Sequence, residues 1–118
     1  MIIGIPTESS RKEVCVSFGR APLFMIYDTE SKQQKFIENT GATAQGGAGL
    51  QSAQCILDQG VDTVLTVRCG ENTAEVFEEV DIKIYKAEGI DLKQNIERFM
   101  EGKLSVLDHF HKGFHGIQ

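Results

Sequence analysis

The chain has 118 residues, 41% hydrophobic and 25% charged, which suits one compact domain and leaves too little for two. A formal charge of -5 argues against a nucleic-acid partner, since that needs a concentrated basic face and none is visible. No stretch approaches the roughly 20 apolar residues of a membrane span, and Met1-Ile2-Ile3-Gly4-Ile5-Pro6 does not read as a signal peptide.

Met1 to Ile5 reads as a short buried strand ended by Pro6, followed by a polar loop from Thr7 to Lys12. Val14-Cys15-Val16, a strand or only a loop edge, is separated by Phe18-Gly19-Arg20-Ala21-Pro22 from a second apolar run, Phe24 to Tyr27. Thr29 to Lys32 makes a tight connection to Gln34–Asn39, anchored by Phe36 and Ile37, so the first strands should be antiparallel. From Ala48 to Gln59, Leu50, Ala53, Ile56 and Leu57 recur at helical spacing, with Gly60 as the stop. Val64–Val67 is a buried strand. Asn72–Val80 is a second helix, with Thr73, Val76, Phe77 and Val80 facing inward and Asn72 and Glu75 in the capping-box pattern. A right-handed crossover then makes Ile82–Tyr85 a parallel neighbour of Val64–Val67. Asp91 and Gln94 open a third helix, with Leu92, Ile96, Phe99 and Met100 inward and Gly102 closing it. Periodicity fades after Gly102, so the domain is expected over 1–102 and a flexible, histidine-containing tail over 103–118.

This order places two helix N-termini at one edge of a parallel sheet, where open α/β sheets bind ligands. Gly46, Gly47 and Gly49 bring backbone N–H groups close to an anion at a helix end worth about half a positive charge; the alternative is a turn that only lets the helix pack near the sheet. Cys69, in Arg68-Cys69-Gly70-Glu71-Asn72 between a strand end and a helix start, should sit near N–H dipoles and the Arg68 cation. Both favour the thiolate that ligates soft metals, although a small residue would also fit a tight turn. Cys15 and Cys55 read as buried small hydrophobes. The three cysteines are too far apart for a disulfide framework or a metal knuckle, so a reducing cytoplasm is the expected location. His109, His111 and His115 do not share a helical face, but an irregular tail can wrap them around a metal; opportunistic binding by a frayed end is the plainer reading. Arg20 in its turn reads as an anion contact at the ligand edge or as a solvated surface arginine. A metal-dependent nuclease is disfavoured, because Ile2–Ile5 carries no carboxylate and Val64–Val67 ends in Arg68-Cys69.

Phe18-Gly19-Arg20-Ala21-Pro22-Leu23-Phe24, Gly47-Ala48-Gly49 with Ala53 and Leu57, Gly60-Val61, Gly70-Glu71-Asn72 and Ile82-Lys83-Ile84-Tyr85 stand in an order and spacing that resembles the dinitrogenase iron-molybdenum cofactor biosynthesis family, the NifX/NifB-type accessory domain. The resemblance covers about Met1 to Gly102. It implies a ribonuclease H-like three-layer α/β fold, with a mixed five-stranded sheet of order 3-2-1-4-5 and strand 2 antiparallel. It further implies a non-catalytic carrier of an iron-sulfur or iron-molybdenum cofactor precursor, exchanging with metallocluster donor and acceptor proteins as a monomer or weak homodimer. Gly70 and Asn72 match the family's Gly-x-Asn-Ala turn, with Glu71 where Pro is common and Thr73 where Ala is usual. The expected ligand set is Cys69, His109, His111 and His115, with Arg20, Arg68 and the glycine-loop N–H groups offsetting cluster charge. The alternative is a module for a small phosphorylated ligand or nucleotide that uses the same loop without metal.

Overall fold

A computed structural model describes residues 1–107. Five strands, β1 (Ile2–Thr7), β2 (Leu23–Asp28), β3 (Gln34–Glu38), β4 (Thr63–Thr66) and β5 (Lys83–Lys86), form one sheet of order β3-β2-β1-β4-β5. β2 is antiparallel to both β1 and β3, whereas β1, β4 and β5 run parallel, with Gly4 opposite Val64 and Val64 opposite Ile84. The expected topology is therefore the one observed. β1 continues through Pro6 to Thr7 instead of stopping at the proline. Its ladder with β4 covers only Ile3 and Gly4, so the missing proline N–H removes no bond there. The Val14 run forms isolated bridges and no strand.

Side chains alternate along each strand and divide the core into two layers. Phe24 and Ile26 of β2, Val64 of β4 and Ile84 of β5 meet α1 (Ala48–Leu57) and α2 (Glu71–Glu79) through Ala53, Ile56, Ala74 and Phe77. On the other face, Ile3, Ile5, Met25 and Leu65 meet α3 (Leu92–Met100) through Leu92 and Ile96. Fully burying a side chain such as Phe77 contributes about 2–3 kcal/mol, so each helix is held by its inward stripe.

The stripes are narrower than periodicity suggests: Leu50, Val80 and Met100 are 47%, 51% and 55% exposed. All three lie at helix ends: Leu50 in the first turn of α1, Val80 at the C-cap of α2 and Met100 as the last residue of α3. α2 also starts earlier than expected, with Gly70 as its N-cap and no side-chain cap, so the Asn72–Glu75 capping box does not form. α3 is capped as expected, the Asp91 carboxylate accepting from the Gln94 N–H at 2.9 Å.

The packed body does not end at Gly102. Val106 bridges Tyr85 in an antiparallel sense, the Lys86 N–H donates to Ser105 and the Leu107 N–H to Ile84, and Leu104 and Leu107 are buried. Residues 103–107 therefore line the outer edge of β5, a correction to the boundary expected after Gly102. His109, His111 and His115 lie outside the described residues.

Candidate functional site

The C-terminal ends of β1, β3 and β4 share one edge of the sheet. A cleft of about 420 Å³ opens there, lined by the Val16–Arg20 loop, the start of α1 at Ala48 and Gly49, and Arg68, Cys69, Gly70 and Thr73 at the start of α2. Gly47 caps α1 at φ 65, in the left-handed region, and Gly70 caps α2, so neither helix has a side-chain cap hydrogen bond from its N-cap residue. Two such helix starts therefore meet at one opening. Their approach depends on Gly49, where a Cβ would collide with Thr73 Oγ1, and on Gly19, where a Cβ would come within 3.4 Å of the Gly49 backbone.

A buried polar knot fixes the loop. Asn39 donates to the Gly19 and Ala21 carbonyls at 3.2 and 2.8 Å and accepts from the Gly41 N–H at 2.9 Å. The Ser52 hydroxyl lies 2.9 Å from both the Gly19 carbonyl and Asn39 Oδ1, its single proton serving one at a time. Neither residue was singled out from the sequence. The available signal was a serine inside the apolar stripe of α1.

Arg20 lines the cleft and also ties down the glycine loop, donating through Nη1 to the Ala42 and Ala44 carbonyls at 3.1 and 2.9 Å. Its role is thus neither the pure anion contact nor the idle surface arginine of the two sequence readings. Arg68 is exposed at the rim, beside the bridge between Ser17 and Arg68 that closes the floor. Gly46 and Gly47 stand just before α1, outside the cleft wall, and Asn72 is exposed on the first turn of α2, also outside it.

Cys69 is where expected but not in the expected state. It is 2% exposed, and burial pushes its thiol up to about 12, so desolvation overrides the N–H dipoles and cation that were expected to favour thiolate. Cys15 is buried and its thiol is also raised, chiefly by burial. Cys55 is only half-buried, its sulfur 3.2 Å from Thr40 Oγ1. Among the described residues, no group of three or more His, Cys, Asp or Glu is placed to hold a metal ion, and no helix is long and apolar enough to cross a membrane.

A three-layer α/β domain with a cleft between two helix starts at the sheet edge is the class these features define. The sequence matches the dinitrogenase iron-molybdenum cofactor family over residues 1–102, and the chain belongs to that family. It is 34% identical over 111 residues to an uncharacterized protein of Methanocaldococcus jannaschii, covering 92% of each chain. Among solved structures it is similar to the apo form of the orange protein from Desulfovibrio gigas, with a TM-score of 0.87 and 25% identity over 94% of this chain and 96% of that one. It is also similar to a candidate NifB protein from Thermotoga, with a TM-score of 0.81 and 32% identity over 96% of this chain and 98% of that one.

Proposed function

We propose that the protein is a non-catalytic carrier that takes a preformed, anionic iron-sulfur or iron-molybdenum cluster precursor into the cleft and exchanges it with donor and acceptor proteins in the cytoplasm. The observation that carries this reading is a pair of glycines the fold does not require. Gly46 and Gly70 have no positive φ, and a Cβ built on either meets nothing within 4 Å. Gly70 lines the cleft at the start of α2, where a side chain would obstruct a bulky anion approaching the backbone N–H groups, and Gly46 stands just outside it before α1. Family membership supplies the cargo class. The ionisable side chains of the cleft wall are Arg20, Arg68 and Cys69, a set that favours holding an anion over acid–base chemistry. With no protein cage for single metal ions among the described residues, the cargo arrives assembled.

In this reading Cys69 ligates only when the metal displaces its proton. His109, His111 and His115 remain proposed outer ligands; up to Leu107, the last described residue, the chain runs antiparallel to β5. A small phosphorylated ligand or nucleotide is the second reading, favoured by the protonated state of Cys69.

The test is anaerobic incubation of the full chain with a preassembled iron-sulfur cluster, with and without molybdenum, measuring metal per chain and charge-transfer absorbance. Wild type should load stoichiometrically, and Gly70→Ala should keep its melting temperature while losing about tenfold in affinity, near 1.4 kcal/mol. Loading that is absent, or indifferent to Gly70→Ala, would overturn the carrier reading. Thermal stabilisation by a nucleotide panel without metal would support the second.

A further inference from the structure

The two faces of the sheet are covered unequally. α1 and α2 share one, whereas α3 alone covers the other, sharing its core with Ile3, Ile5 and Leu65. A step is left beside β2 and β3. In it lies a groove of about 470 Å³, on the face opposite α1 and α2, with Met25, Leu92 and Ile96 as an apolar floor and the Tyr27 ring beside them. That volume falls within the range of small-molecule sites, roughly 300–1,000 Å³.

The rim is cationic, although the chain carries a net charge of -5. Arg11, Lys12 and Lys93 stand on it against Asp91 and Glu97. Asp91 is committed to capping α3 through the Gln94 N–H at 2.9 Å, and among the described residues no ion pair neutralises any of the three cations. Arg11 sits at φ 64, a left-handed conformation disfavoured for a side chain of its size, and its guanidinium lies 5.6 Å over the Phe36 ring. Three cations outnumber the two carboxylates on the rim, and an apolar floor beneath this small excess of positive charge is matched by a molecule with an apolar body and a single anionic head.

We propose that this groove is a second binding site, separate from the cleft, for a small amphipathic organic anion such as a medium-chain carboxylate. The apolar body lies on Met25, Leu92 and Ile96, and the head group meets Arg11, Lys12 and Lys93.

The test is a titration of the ¹⁵N-labelled full chain with octanoate, and in parallel with octylammonium as a cation of equal length. Octanoate should give saturable shifts at Lys12, Ile96 and Glu97 but not at Gly49 or Gly70, which separates this site from the cleft whatever the fate of the carrier reading. Lys93→Glu, at an exposed helix position, should weaken octanoate about tenfold. Arg11→Gly should weaken it too while raising the melting temperature by roughly 3 °C, because glycine adopts the left-handed conformation freely. No saturation below about 5 mM, equal binding of octylammonium, or unchanged affinity in Lys93→Glu would each overturn the proposal.

Discussion

The thiol of Cys69 makes the cleft sensitive to alkali. Its folded pKa, about 12, lies above the ordinary value of 9.0, so the folded chain holds that proton more tightly than the unfolded one. The stabilisation is complete below pH 9 and is lost as the pH rises towards 12. Urea denaturation of wild type and Cys69→Ala should therefore give a stability difference that shrinks by roughly 1 kcal/mol between pH 9 and 10; a difference independent of pH would mean that the thiol is not held protonated. Burial depends on which elements close over the residue, and a pentapeptide between strand and helix does not reveal that. The turn was legible from Arg68-Cys69-Gly70; the state of the sulfur was not. The same holds for Asn39 and Ser52: apart from the local bond from Gly41 N–H to Asn39, their partners lie 13 to 33 residues away, beyond any local pattern.

At the scale of elements, the contact between the starts of α1 and α2 sets the width of the cleft. Gly49→Ala places a methyl group against Thr73 Oγ1 and should destabilise the fold by about 2 kcal/mol. Thr73→Ala in the same chain removes the obstructing oxygen, so a double-mutant cycle should recover at least about 1 kcal/mol. Strictly additive losses would show that the two helices do not meet there. The three helices, the antiparallel start of the chain and the parallel β4–β5 pair followed from apolar spacing, because periodicity reports directly on burial, whereas the full strand order came from the family resemblance and is the one observed. Helix ends were less legible, as Leu50, Val80 and Met100 show: the apolar period continues there although the side chains are about half exposed.

Across the whole molecule, the segment beyond Gly102 acts as a seal. Loss of periodicity suggested a tail, yet two leucines and a few backbone bonds suffice to dock a strand-like segment too short to show a period. A chain ending at Gly102 exposes Leu104 and Leu107 partners and the β5 edge, and should be less stable by about 3–5 kcal/mol than one ending at Leu107. Equal melting temperatures for the two would remove residues 103–107 from the core. The seal leaves the sheet asymmetric, since among the described residues β3 has no neighbour on its outer side. A second copy that paired strand to strand would thus find bare backbone at β3, where on the opposite border it would first meet the 103–107 segment.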